Sequence, residues 1–316
     1  MLSRRHIRLK VMQALYGYEI SGNYPELGVL TKNLMKSINK LYSLYLYLLL
    51  LVEELGRFAE HYEEETRARA FQGSELQKKH LRFLQNPVVH KLIHSELFHK
   101  KLNTYDVVWV PDQDATRKLF VDLKNSTEYR DYISTNTPNK YQDHDLVTFI
   151  IKHFTTNSSL FTHLLEEEFY NWFDDEKVAV NMALKTVKGM AFDNEEDFLL
   201  PLTDNEEENF DYAKSLLKFT VRNNAELQKM VDDRISKWEP KQVAVVDIII
   251  LKMALAEFLY FPSIPTKVTI NEYIELSKNY STIQSKKFIN GVLDSLLKIL
   301  TVEEKINKTG RGLISN

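Results

Sequence analysis

The chain has 316 residues, 44% apolar and 27% charged, with a net charge of −3; these are ordinary globular values, and they exclude both a disordered chain and a general polyanion binder. Cysteine is absent, which excludes a disulfide framework, a thiolate metal site and a cysteine nucleophile and suits a reducing, cytoplasmic compartment. Glycine and proline number only 9 and 8, about half of average usage, so we expect an all-α fold of long helices, in one large domain or two ordinary ones.

The N-terminus is basic, with Arg4, Arg5, Arg8 and Lys10 beside His6, but no apolar segment with a small-residue cleavage site follows, so no secretory signal is expected. Ile7, Val11, Ala14, Leu15 and Tyr18 recur at spacings of three and four, which predicts a helix with its core face there. Arg5, Met12 and Tyr16, with Arg8 nearby, fall on another side and would put cations and an aromatic ring on one surface. Gly22 and Pro25 end this helix. A second helix is expected over 26–65, rich in leucine and tyrosine from Leu41 to Leu55. Its most apolar run, Leu44 to Val52, is far short of the roughly 20 residues that cross a bilayer; it reads as a buried helix turn, with no membrane partner. Helices over 74–85, 88–104 and 112–124 are punctuated by Pro87 and Pro111, which cannot donate an amide hydrogen bond and disfavour helix in the residue before them. Val107-Val108-Trp109-Val110 would be an isolated strand with nothing to pair with, so it reads as an extended connector. After a Thr/Asn/Pro loop from Thr135 to Lys140, helices are expected over 143–155, 158–173 and 175–190.

The clearest boundary runs from Asp193 to Asp211. It holds Glu195, Glu196, Asp197, Asp204, Glu206, Glu207 and Glu208, with Pro201 in the middle and no lysine or arginine. A block of one sign repels itself and forms a solvated linker or helix entry. Helices over 206–238 and from Pro240 to Tyr260 follow, Pro240 suiting a first helical position. Val243 to Leu251 is apolar on nearly every side except Asp247, which predicts a central buried helix whose carboxylate is paired with a cation from another helix. Thr269-Ile270-Asn271-Glu272 and Ser281-Thr282-Ile283-Gln284 fit capping boxes for the last two helices. Phe288, Val292, Leu296 and Ile299 give the final helix its apolar stripe.

Chemistry-bearing patterns are few. His90 and His94 are four apart and His99 follows, but no acidic base stands between them, and the three read as packing or solvated groups rather than a metal site. Glu63 to Glu65 and Glu166 to Glu168 read as solvated helix faces. Phosphate-cradling and nucleophile-elbow motifs are missing, so no catalytic, cofactor-binding or metal residue is assigned. The N-terminal cluster differs because it joins charge to an aromatic ring: arginine contacts phosphates bidentately and stacks on bases, and tyrosine offers a stacking surface for single-stranded RNA. A solvated helix end would carry the same residues.

Two separated stretches resemble one family. Arg4-Arg5-His6-Ile7-Arg8 with Gln13-Ala14-Leu15-Tyr16, and Ile264 to Lys278 with Lys287-Phe288-Ile289-Asn290-Gly291-Val292-Leu293-Asp294, are similar in order and spacing to the transcription antitermination factor NusB, over residues 3–18 and 206–300. The resemblance implies a NusB-like helical bundle with a large helical insertion: residues 1–20 as the N-terminal core helix, 21–204 as insertion together with part of the core, 205–305 as C-terminal core and 306–316 as a tail. It implies binding, without catalysis or cofactor, to boxA-type single-stranded RNA together with the ribosomal protein NusE, within the RNA polymerase antitermination complex, chiefly on ribosomal RNA transcripts. Residue by residue it assigns RNA contact to Arg4, Arg5, Arg8 and Tyr16 and to Lys287, Phe288 and Asn290. Lys267, Asn271, Glu272, Glu275 and Lys278 match the penultimate helix, where capping and interhelical pairing also account for them. His6 stands where another arginine is common, Ile248 and Lys252 replace typical arginines, and the middle of the chain exceeds the family pattern by about 150 residues. Fusion to a ribosomal RNA methyltransferase would need a glycine-rich cofactor loop after the signature, and none is there. The alternative is a NusB-like scaffold in ribosome biogenesis that works through its insertion.

Overall fold

The computed structural model describes residues 1–22, 24–69, 79–192, 197–235 and 243–313. Among them the scarcity of glycine and proline yields fifteen α-helices and no strand: α1 (Arg4–Ser21), α2 (Leu27–Arg69), α3 (Leu81–Leu84), α4 (Pro87–His94), α5 (Glu96–Thr104), α6 (Gln113–Asn125), α7 (Thr127–Ser134), α8 (Lys140–Thr156), α9 (Ser159–Glu168), α10 (Trp172–Phe192), α11 (Glu206–Arg222), α12 (Asn224–Ile235), α13 (Val245–Tyr260), α14 (Thr266–Tyr280) and α15 (Ser285–Val302). Gly22 ends α1 with φ of 59°, a left-handed conformation that costs a residue with a Cβ about 1–2 kcal/mol.

Short polar residues cut helices that hydropathy alone leaves whole. Ser95 stops α4 and caps α5 by accepting from the Phe98 amide, splitting the helix expected over 88–104. The helix expected over 112–124 ends at Asn125, and Ser126 caps α7, which was not expected, by accepting from the Tyr129 amide. Asn223 divides the helix expected over 206–238, whose last residues lie outside the described ones, as does Pro240; α13 begins only at Val245. The helix expected over 158–173 ends at Glu168, and α10 starts at Trp172. Both capping boxes are absent. Thr269 sits inside α14, behind Pro265, and its hydroxyl donates to Glu257; Ser281 ends α14, and α15 opens after Gln284 with no side-chain cap.

The chain divides into two compact units, Asn39–Asp204 with Met1, and Leu2–Ile38 with Asn205–Asn316. In the first, α10 packs on α8 and α4, and α8 on α4, α7 and α9. The apolar run of α2 from Leu44 to Val52 is buried throughout. Gly56 lets α4 approach α2, since a Cβ there would lie 2.5 Å from Val89 Cγ1. Val107 to Val110, expected as a connector, lie without regular structure between α5 and α6 and form no strand. Glu63 departs from the solvated face expected of it: it is buried and accepts from the His80 amide.

In the second unit, α13 lies at the centre and packs on α1, α11, α12, α14 and α15. Burial of Ile249 to Phe258 on all sides explains why this stretch shows almost no polar face. The interior of α15 is Ile289, Val292, Leu293, Leu296 and Leu300; Phe288 and Ile299 of the expected stripe are only half-buried. Residues 24–38, from the stretch expected to hold the insertion together with part of the core, fall in this unit. Past α15 the chain returns to α13. Lys308 Nζ donates to the carbonyls of Glu257 and Phe261 at 3.2 and 2.9 Å, closing the helix C-terminus with a cation.

Candidate nucleic-acid interface

The first turns of α1 are embedded more deeply than a one-sided amphipathic helix would be. His6, Arg8, Lys10 and Met12 are all buried, along with Ile7, Leu9 and Val11. The basic cluster of the sequence is thereby sorted by depth, and Arg4 and Arg5 keep side-chain exposures of 34% and 59%, against 3% for Arg8. Tyr16 is exposed to 41%. Eleven residues bring it round to the Arg5 side of α1, about 16 Å along the axis, but buried Met12 interrupts the surface between them.

Arg8 is the inner anchor. Its Nε and Nη2 donate to the two oxygens of Glu257 at 2.9 and 2.8 Å, and the Glu257 side chain is fully buried. The carboxylate also accepts from Tyr212 at 2.6 Å, Thr269 at 2.7 Å and Tyr273 at 3.2 Å. The rings of Tyr212 and Tyr273 lie 5.5 and 5.8 Å from the guanidinium carbon, within cation–π range. Burial by itself would raise the Glu257 carboxyl, but the Arg8 charge and these hydrogen bonds outweigh it and hold the group below the ordinary carboxylate value. Burial likewise opposes the Arg8 charge, and Glu257 reverses that sign, keeping the guanidinium protonated. The same burial, reinforced by the Glu257 charge, pushes the Tyr212 and Tyr273 hydroxyls up, so both stay neutral donors.

Further out, Arg5 Nε and Nη2 donate to the two oxygens of Glu272, both at 2.8 Å. Glu272, 17% exposed, also lies 3.7 Å from Arg8 Nη1. Hydrogen bonding from Arg5 pulls the Glu272 carboxyl down, with Arg8 adding to the effect. Arg4 is tied to α11 by an ion pair with Glu208 and a 3.4 Å bond to Asn209, and it lies 5.1 Å from the Tyr212 ring centre.

Lys287, Phe288 and Asn290 occupy the start of α15, which packs on α14, the helix that carries Glu272. Lys287 is exposed; Phe288 and Asn290 are half-buried, and Asn290 donates to Asp294 at 3.3 Å. The residues expected to contact RNA therefore fall into an exposed set, Arg5, Tyr16 and Lys287, a half-buried one, Arg4, Phe288 and Asn290, and the buried Arg8. The Arg8 guanidinium, expected to contact RNA, is 3% exposed and engaged with Glu257 inside the fold.

Asp247 is buried as expected but takes a hydroxyl, Ser285 Oγ at 2.6 Å, in place of a cation, and among the described residues its other oxygen has no hydrogen-bond partner. Lys252, also buried, pairs with Glu19 at 3.2 Å and Asn224 at 2.8 Å. Sequence reading missed Glu257, although it carries the signal that singled out Asp247, a lone carboxylate in an apolar run. His90 and His94 stack with centroids 4.1 Å apart, and His99 faces Glu53 at 3.0 Å. Among the described residues no group of three metal-ligating side chains forms, and no helix is long and apolar enough to cross a membrane.

A model of the NusB family matches residues 176–298. The chain is 39% identical over 104 residues to the transcription antitermination protein NusB of Salinibacter ruber, covering 33% of this chain and 65% of that one. It is 34% identical over 104 residues to the protein of the same name from Chloroherpeton thalassium, covering 49% of it. With that from Geotalea uraniireducens it shares 34% over 119 residues, 38% of this chain and 82% of the relative. The chain thus spans less than two thirds of the first two relatives and most of the third. No solved structure matches.

Proposed function

The chain belongs to the NusB family, and from that premise we propose that it is an RNA-binding transcription antitermination factor. It binds a boxA-type single-stranded RNA together with the ribosomal protein NusE, and the complex keeps RNA polymerase from terminating early, chiefly on ribosomal RNA operons. The observation that carries this reading is the exposed Arg5, with the half-buried Arg4 beside it, opening a helix whose Arg5 side bears the exposed Tyr16. Guanidinium forks take phosphates and an exposed ring takes a base, and neither needs a chemical step or a cofactor. Lys287 adds a cation from α15. The deeper residues hold these groups in place.

The test is fluorescence anisotropy with a labelled boxA-like strand and a scrambled strand, with and without NusE. Preference for the boxA-like strand, strengthened by NusE, supports the reading; equal or absent binding of both strands in the presence of NusE rejects it. A second reading, a protein-binding scaffold acting through the insertion, draws on the exposed Val108, Tyr170 and Phe173 of the Asn39–Asp204 unit. It would survive the loss of RNA binding.

A further inference from the structure

Carboxylates and guanidiniums alternate from the interior to the surface of the unit that carries α1. Glu257 is fully buried, Arg8 is 3% exposed, Glu272 17% and Arg5 59%. Each step is a contact: 2.9 and 2.8 Å from Arg8 to Glu257, 3.7 Å from Arg8 to Glu272, and two bonds of 2.8 Å from Arg5 to Glu272. The inner end is fixed by the Tyr212, Thr269 and Tyr273 hydroxyls, so the Glu272 carboxylate has one flank against a rigid charge. Glu272 takes only the Nε and Nη2 edge of Arg5. Among the described residues the remaining Nη1 group of the planar fork has no hydrogen-bond partner and is left for a ligand, and the plane of the fork is set by its bidentate partner.

We infer that Glu272 is a positioning residue for RNA binding: it splints the Arg5 guanidinium so that its outer nitrogen meets a phosphate at little entropic cost. This rests on the RNA-binding reading given above. Glu208 serves as the comparison, because it holds Arg4 by a single ion pair, is itself largely exposed and has no contact with Arg8 or Glu257 among those that form the series.

The sign of the effect separates this idea from simple electrostatics. Removing a negative charge beside an RNA site should tighten binding by Coulomb attraction alone. If Glu272 positions Arg5, Glu272→Gln should instead weaken binding of the boxA-like strand about two- to tenfold, the cost of ordering one long side chain at an interface. Glu208→Gln should leave affinity unchanged or raise it. The deciding step is a double-mutant cycle measured by anisotropy on the full-length protein. In an Arg5→Ala background, Glu272→Gln should no longer weaken binding, whereas a loss arising from damage to the fold would persist. Tighter binding by Glu272→Gln, or an equal loss in the Arg5→Ala background, overturns the inference. Absence of binding by the unsubstituted protein would instead overturn the RNA-binding reading itself.

Discussion

Replacing Glu257 by glutamine tests what holds the arginine-bearing unit together. The carboxylate accepts five hydrogen bonds, at 2.9, 2.8, 2.6, 2.7 and 3.2 Å, two from Arg8 and one each from Tyr212, Thr269 and Tyr273. Glutamine keeps one acceptor oxygen but turns an amide nitrogen toward donors and removes the charge. Arg8 is then left almost wholly buried, with Glu272 at 3.7 Å as its remaining anion. Stranding one member of a buried pair costs about 3–5 kcal/mol, a large share of the 5–15 kcal/mol typical of a whole protein. Urea unfolding followed by far-UV circular dichroism gives the size of the loss. Amide exchange should localise it to α1, α13 and α14. Arg8→Met should cost a similar amount, and the pair of substitutions together should cost clearly less than their sum, because no charge is then stranded. A loss below about 1 kcal/mol with an unchanged denaturant slope, or strict additivity, would refute this account of the core. The pH dependence has a definite sign. Glu257 is held below its ordinary value of 4.5, so its contribution is fully present above that pH and is lost as the pH falls through the folded value. The stability gap between the native protein and Glu257→Gln should be flat from neutral pH down to about 4.5 and narrow below it.

Other outcomes follow from packing elsewhere. Gly56→Ala places a Cβ 2.5 Å from Val89 Cγ1; overpacking of about 1–3 kcal/mol should exceed the roughly 1 kcal/mol gained in helix propensity, and adding Val89→Ala should recover part of the loss in thermal unfolding. Asn86 caps α4 through the amides of Val88 and Val89 and donates to the Asp143 carbonyl, so Asn86→Ala should cost at least the 0.5–2 kcal/mol of a lost cap, measured by urea titration. Burial lowers Lys308 from 10.5 to about 8. Between those values the unfolded chain binds the extra proton, so stability should rise with pH relative to Lys308→Met; a flat difference in melting temperature across that window would count against the placement of the lysine.

Much of the fold could be read from the sequence wherever one signal acted alone. Low glycine and proline content foretold helices, Gly22 ended α1, and the apolar stretch of α13 was recognisably central. Reading failed where tertiary contact overrode a local pattern. Thr269 and Ser281 satisfy the capping-box spacing, but Thr269 spends its hydroxyl on Glu257 from inside α14, and Ser281 closes that helix. Hydropathy could not show Ser95 and Asn223 as helix breaks, since they work through local hydrogen bonds to the backbone or by ending a turn. The basic cluster was visible as composition, but its sorting by depth was not. One turn of α1 sends Arg4 to α11, Arg5 to α14 and Arg8 to α13, and only the assembled helices decide which guanidinium stays in water.

The most direct test of RNA binding through the outer arginines is the salt dependence of affinity for the boxA-like strand, compared between the native protein and Arg4→Ala/Arg5→Ala. Each phosphate contact on a single strand adds a slope of about −0.7 to log K against log salt. Loss of both arginines should lower the affinity and flatten the slope by about 1.4. An unchanged slope and affinity would contradict the account and move any RNA contact away from the N-terminus.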